Sequence, residues 1–168
     1  DDIVDRRGTN SSKWDFCEEV FGEEDIIPLW VADADWPTAE PIIDALRKRI
    51  DHGIFGYSKP GEKHDRAIAR WLERRYGWKI PRKWIVYGNG VVPSLAKAID
   101  IYTDNSEGVI VQPPVYYPFY SAIENQNSVI LKNQLSLNGD GYKMNFDDLV
   151  DTIEEADRRG INPKALIL

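Results

Sequence analysis

Apolar positions follow two regimes along the chain. Over the first 30 or so residues they are irregular. Gly8, Asn10, Ser11, Ser12, Gly22 and Pro28 alternate with the aromatics Trp14, Phe16, Phe21 and Trp30. This pattern predicts an extended arm that lies on another surface, since free tails are poor in aromatics; an ordinary frayed terminus is the alternative. Ile42, Ile43, Leu46 and Ile50 then recur at helical spacing, with Thr38 as cap, Pro41 in the first turn and Gly53 at the end. Gly53-Ile54-Phe55-Gly56-Tyr57 reads as an apolar turn between glycines. A second helix is predicted from about Glu62 to Tyr76, with Ile68, Trp71, Leu72 and Tyr76 on one side and Gly77 beyond it.

From Trp84 the pattern alternates between strand and helix. Trp84–Tyr87 reads as a strand, Gly88-Asn89-Gly90 as a turn, and Pro93-Ser94-Leu95 as the opening of a helix with Leu95, Ile99 and Tyr102 inward. Gly108–Val111 reads as a strand buried on both faces, stopped by Pro113 and Pro114. A helix from Pro118 to Asn125 and a strand from Ser128 to Leu135 follow. Asn145 caps a further helix, with Asp148 as its capping-box partner and Phe146, Leu149, Val150 and Ile153 apolar. Lys164–Leu168 is a last strand. The alternation predicts an α/β fold, a mainly parallel sheet covered by helices. The segments divide as an arm (1–35), a helical segment (36–83) and the first part of an α/β domain (84–168). Ending on an apolar strand, which would make a poor sheet edge, the chain reads as the N-terminal part of a larger protein. A small domain with a natural edge strand is the alternative.

Composition narrows the function. Lys and Arg total 21 against 28 Asp and Glu, a net charge of −7. That balance argues against a nucleic-acid surface, which needs clustered cations. No apolar run approaches the roughly 20 residues of a membrane span. Asp1–Arg7 lacks an apolar signal core, and one cysteine, Cys17, excludes an internal disulfide framework. A cytoplasmic location fits both. The two histidines, His52 and His64, fall on helix surfaces and form no metal-ligand cluster with Cys17. No Gly-x-Ser-x-Gly elbow is present, so metal-dependent and serine hydrolases start low.

Three stretches can carry chemistry. Gly88-Asn89-Gly90-Val91-Val92-Pro93 joins a strand to a helix, whose free N–H groups and positive dipole end suit a phosphate. It matches neither the dinucleotide fingerprint nor a P-loop, and a plain tight turn is as good a reading. Gln112–Phe119 leaves the next strand on the same sheet edge, where an aromatic could stack on a flat cofactor or simply pack in the core. In Trp30–Trp36, Asp33 and Asp35 could act as acid and base or bind a cation; capping a helix or binding backbone is the commoner role.

Taken together, Asp5-Arg6-Arg7-Gly8-Thr9, Lys13-Trp14-Asp15, Trp30–Trp36, His52–Tyr57, Gly90–Pro93 and Gln112–Phe119 resemble, in order, the fold-type I pyridoxal-phosphate (PLP) enzymes. The match is to the MalY/PatB-like cystathionine β-lyase (C–S lyase) branch of the class I/II aminotransferase superfamily. The resemblance implies that Gly90, Val91 and Val92 hold the PLP phosphate and that Tyr116 stacks on the pyridine ring. It implies that Tyr57 reaches the cofactor of a neighbouring subunit, hence a homodimer, and that Ala32 and Asp33 line the substrate side. Ala34 and Trp36 depart from the family's Met and Phe. The family's Asn-Pro-rich stretch, the Asp at the pyridine nitrogen, the Schiff-base Lys and the carboxylate-binding Arg would all follow Leu168. No lysine here matches the Schiff-base position, so this chain alone is expected to be inactive. The resemblance implies a lyase that releases thiol, pyruvate and ammonia from cystathionine or a similar small amino-acid thioether. An aminotransferase and a non-catalytic phosphate-binding α/β module are the alternatives.

Overall fold

The computed structural model describes residues 4–168; residues 1–3, the start of the expected arm, lie outside the described residues. The chain divides into two compact units, the first ending at Pro60 and the second running from Gly61 to Leu168. Among the described residues no helix is long and apolar enough to cross a membrane.

The first unit is less irregular than its sequence suggests. It contains the short helices α1 (Ser12–Asp15) and α2 (Cys17–Phe21), then α3 (Glu40–His52). Gly22 and Gly53 end α2 and α3 in the left-handed conformation, as glycine allows. Thr38 is not the cap of α3. Ala39 occupies that position with no side-chain bond, so the Thr38 hydroxyl sits one residue too early. Helix α3 buries none of its residues, and the stripe of Ile42, Leu46 and Ile50 is exposed.

The second unit opens with α4 (Glu62–Tyr76) and a 3-10 turn at Arg82–Trp84, followed by α5 (Val91–Tyr102). The strand expected at Trp84–Tyr87 is not formed. Ile85 has an extended backbone, but the segment pairs with no strand among the described residues and Val86 is exposed. β-branched composition favours a strand only where a ladder partner lies alongside. Helix α5 begins at Val91, two residues before Pro93, because Pro93 then falls in the first turn, where no N–H is needed.

Strand β1 (Gly108–Val111) is followed by α6 (Pro118–Glu124) and β2 (Val129–Lys132). A hairpin of β3 (Ser136–Asn138) and β4 (Gly141–Lys143) precedes α7 (Phe146–Arg158) and β5 (Pro163–Leu166). The sheet order is β2-β1-β5, all parallel, with Val109 opposite both Ile130 and Ala165. This is the expected parallel α/β arrangement. The hairpin was not expected, although Asn138-Gly139-Asp140-Gly141 carries a tight-turn signal. Strand β2 is shorter than the expected 128–135, because the chain turns from the ladder into that hairpin.

Helices cover both sheet faces. Val109 and Val111 pack with Ile99 of α5 and with Ala122 and Ile123 of α6. On the opposite face Ile110 packs with Leu131 and with Ala156 of α7. Val109, Val111 and Ile123 have no exposed surface. Each such burial contributes about 1.5–3 kcal/mol. Asn145 caps α7 as expected, its Oδ1 accepting from Asp148 N at 3.2 Å. The reciprocal half of the box is absent, because the Asp148 carboxylate instead accepts from Asn133 and Gln134.

Gly108 marks the tightest point of the sheet. A Cβ there would lie 2.5 Å from Leu131 Cδ1, 3.2 Å from Leu131 Cγ and 3.3 Å from Ile161 Cγ2. Gly108→Ala should therefore destabilise the full-length protein by about 1–3 kcal/mol. A urea midpoint unchanged from wild type would contradict this packing.

Candidate functional site

The N-terminus of α5 is built by Gly90, whose φ of +125° strains any residue with a Cβ. The Gly90 carbonyl accepts both Ser94 N (3.2 Å) and Ser94 Oγ (2.7 Å), which closes the first turn. The N–H groups of Val91 and Val92 then have no acceptor among the described residues, and Pro93 has no N–H. Two free donors at the positive end of a 12-residue helix fit an anion such as a phosphate. Gly88, Gly90, Val91, Ser94 and Leu95 line a shallow open hollow of about 540 Å³ there. A Cβ on Gly88 would meet Ser94 Oγ at 2.4 Å, so the turn lies directly against the helix.

Helix α5 packs along β1 through Leu95, Ala96 and Ile99, and the chain reverses between Tyr102 and Gly108. The start of α5 therefore faces the carboxyl edge of β1. The same edge carries Gln112, the cis-linked Pro113-Pro114, Val115 and Tyr116. Val115 and Phe119 pack on the core. Tyr116 stands edge-on to Tyr117 at 5.3 Å and to Phe119 at 5.9 Å between ring centres, and keeps 57% of its surface exposed. Its ring is thus held by two aromatic neighbours while more than half of the residue stays exposed.

A second anchor holds the approach to this turn. The buried carboxylate of Asp65 on α4 accepts from Arg82 Nε and from the hydroxyl of Tyr87, the residue before Gly88. Tyr87, then Arg82, holds the Asp65 carboxyl below the usual range, and the same bond raises the Tyr87 phenol. Sequence reasoning missed Asp65. The available signal was an acid in register with Ile68 and Leu72 on the apolar side of α4. It also missed Asn133, which shares the inward parity of Leu131 and is fully buried.

In the first unit, Ala32 and Asp33 lie on an exposed segment fixed by ion pairs. Arg6 donates to the Asp33 carboxylate through Nη2 and to Asp35 Oδ1 through Nη1 at 2.6 Å. Lys13 Nζ donates to Asp35 Oδ2 (2.5 Å) and to the Asp33 carbonyl (3.1 Å). Trp14 Nε1 donates to Asp35 Oδ1 at 2.8 Å. Lys13, followed by Trp14 and Arg6, holds the Asp35 carboxyl well below the usual carboxylate range. Asp35 is therefore neither a helix cap nor a vacant cation ligand: cationic and N–H donors occupy both its oxygens. Asp15 accepts from the N–H groups of Gly8 (2.8 Å), Thr9 (3.1 Å) and Ser11 (2.9 Å), which ties down the preceding loop. Tyr57 stands fully exposed on the segment after α3. His52 and His64 are exposed on α3 and α4. No cluster of metal-ligating side chains occurs among the described residues.

The second unit is thus a parallel α/β domain with an anion-ready helix terminus and an open aromatic on one sheet edge. The chain belongs to the aminotransferase class I and II family, whose profile matches residues 24–168. It is 43% identical over 145 residues to cystathionine beta-lyase PatB of Bacillus subtilis, covering 86% of this chain and 38% of that protein. It is 35% identical over 141 residues to the protein MalY of Escherichia coli, covering 83% and 36%. Its structure matches cystalysin of Treponema denticola, which contains a pyridoxal 5'-phosphate cofactor, with a TM-score of 0.85 at 32% identity, covering 98% of this chain and 41% of that one. The chain is homologous to these proteins and spans about two-fifths of their length.

The depressed Asp35 carboxyl makes a pH prediction. A folded pKa below the unfolded value stabilises above the ordinary range, about 3.9, and that stability is lost as pH falls toward the folded pKa. Asp35→Asn should therefore lower the urea midpoint at pH 7, and the gap to wild type should narrow progressively below pH 4. A gap that stays constant down to pH 2.5 would remove Asp35 as the anchor.

Proposed function

We propose that the full-length protein is a PLP-dependent C–S β-lyase acting on cystathionine or related cysteine thioethers. The observation that carries this reading is the pair of free N–H groups on Val91 and Val92, behind a positive-φ Gly90, in a chain 43% identical to a cystathionine β-lyase. These donors fit the cofactor's phosphate. The exposed ring of Tyr116 fits its flat pyridine. When bound, PLP withdraws electrons from the substrate's α-carbon.

This chain's residues bind and orient. Gly90, Val91 and Val92 hold the phosphate, and Tyr116 holds the ring by stacking. Ala32 and Asp33 serve the substrate side in this reading, and Arg6 and Lys13 hold Asp33. Tyr57, exposed on its segment, reaches the phosphate site of a second subunit in a homodimer. In this reading 84–168 is the cofactor side, while 1–35 and 36–83 serve substrate and partner. The lysine that anchors the cofactor and moves the α-proton lies outside these residues, so the isolated chain is inactive. In this reading the protein works in the cytoplasm; Cys17, the one cysteine of these residues, is a buried free thiol.

The family match to class I and II aminotransferases supports transamination as a second reading. The products separate the two. β-Elimination breaks the Cβ–S bond and, with water, releases thiol, pyruvate and ammonia. Transamination leaves that bond intact and needs an oxo-acid acceptor. Purified full-length protein with PLP should release pyruvate and free thiol continuously from cystathionine, and residues 1–168 alone should release none. Turnover only in the presence of an acceptor would favour the aminotransferase. No turnover in either assay would leave a phosphate-binding module, and sustained release by the isolated chain would contradict the assignment of the lysine.

A further inference from the structure

A buried polar layer lies behind the aromatic turn and has no part in the reading above. Asn133 has no exposed surface and Gln112 only 8%. Gln112 Nε2 donates to Asn133 Oδ1 at 2.6 Å. Asn133 Nδ2 donates to Asp148 Oδ2 (2.7 Å) and to the Asn145 carbonyl (3.0 Å). Asp148 Oδ2 also accepts Gln134 N at 2.8 Å, and Gln134 Nε2 donates to the Pro113 carbonyl at 2.9 Å. Two backbone bonds complete the layer: Asn133 N to the Val111 carbonyl and Leu135 N to the Pro113 carbonyl, both 2.9 Å. Residues 133–135 therefore clamp 111–113 through main chain and side chains alike. Tyr116 leaves the sheet three residues beyond that clamp.

Burying the Gln112 and Asn133 amides gains little stability, because each exchanges bonds to water for bonds to protein. What a fully satisfied network supplies is a single geometry. Among the described residues no buried side-chain nitrogen or oxygen lacks a partner. We propose that Asn133 is a positioning residue for cofactor binding: it locks Gln112 and the turn at Pro113, and so sets the plane of the Tyr116 ring. The inference rests on the reading of Tyr116 as the stacking aromatic. Asn133 itself touches neither cofactor nor substrate. It acts through the loop.

The test uses full-length protein stripped of cofactor and titrated with PLP, reading the dissociation constant and the visible circular dichroism of the bound cofactor alongside the Tm. Asn133→Leu should weaken PLP binding by about tenfold and reduce the dichroism, since it orphans the Gln112 amide and removes one of the two donors to Asp148 Oδ2 and the side-chain donor to the Asn145 carbonyl. Gln134→Ala changes an exposed side chain and cuts only its side-chain bond to the Pro113 carbonyl, leaving that of Leu135 N, so it should fold and show a smaller loss of the same kind. Neither change should weaken binding further in a Tyr116→Ala background, because coupled residues are non-additive. A lower Tm with unchanged PLP affinity and dichroism would overturn the proposal, as would an equal loss with and without Tyr116. If Asn133→Leu fails to fold, Gln134→Ala alone decides by the same criteria. Unchanged PLP binding in Tyr116→Ala itself would sink the stacking reading and this inference with it. An effect of Tyr116→Ala with none from Asn133→Leu or Gln134→Ala sinks only the inference.

Discussion

Burial of four consecutive residues, Gly108–Val111, on both faces and both edges organises the second unit. A strand with no polar face needs a strand on either side and a helix layer above and below. Parallel β2 and β5 fill the edges, α5 and α6 one face, and α7 the other. Gly108 permits the close approach of Leu131 and Ile161 that this crowding demands. Because the neighbouring strands run parallel to β1, the connections that leave them open on one edge, and a ligand bound there meets several loops at once.

The site inherits its chemistry from that geometry. Helix α5 runs back along β1, so its unpaired N–H groups reach the edge from which Tyr116 also emerges. Neither feature recognises a flat phosphorylated ring unaided, since a helix terminus takes any anion and an exposed tyrosine any flat surface. Their shared edge gives the combination meaning. Charge on Asp65 and Asp35 serves rigidity instead. Asp65 fixes Tyr87 ahead of the glycine turn, and Asp35 gathers Arg6, Lys13 and Trp14 around the segment carrying Asp33.

Much of this was legible before the structure. The apolar run at 108–111, the glycines around 88–90 and the helical spacing of Leu95 and Ile99 foretold the parallel fold and the helix terminus, because those patterns are local. What failed depended on partners distant in sequence. Trp84–Tyr87 has the composition of a strand, yet pairing requires a neighbour that composition does not provide. Thr38 has cap chemistry but lies one residue out of register. For the Asp33 and Asp35 pair the sequence leaves acid–base work, a cation and helix capping all open, and only the folded arm brings Arg6 and Lys13 onto it. Asn133 falls inside the expected strand 128–135, and only the folded chain brings Gln112 and Asp148 onto its buried side chain.

The assignment of α5's first turn to a phosphate underlies the functional account, and it can be tested through the phosphate itself. Calorimetric titration of the full-length apoprotein with PLP and with unphosphorylated pyridoxal, for wild type and for Val92→Pro, isolates that group. The substitution deletes one of the two free donors. PLP affinity should fall by about tenfold, the loss of one hydrogen bond to a charged group, while pyridoxal affinity stays the same. Unchanged PLP affinity, or an equal fall for both ligands, would mean that the phosphate is held elsewhere.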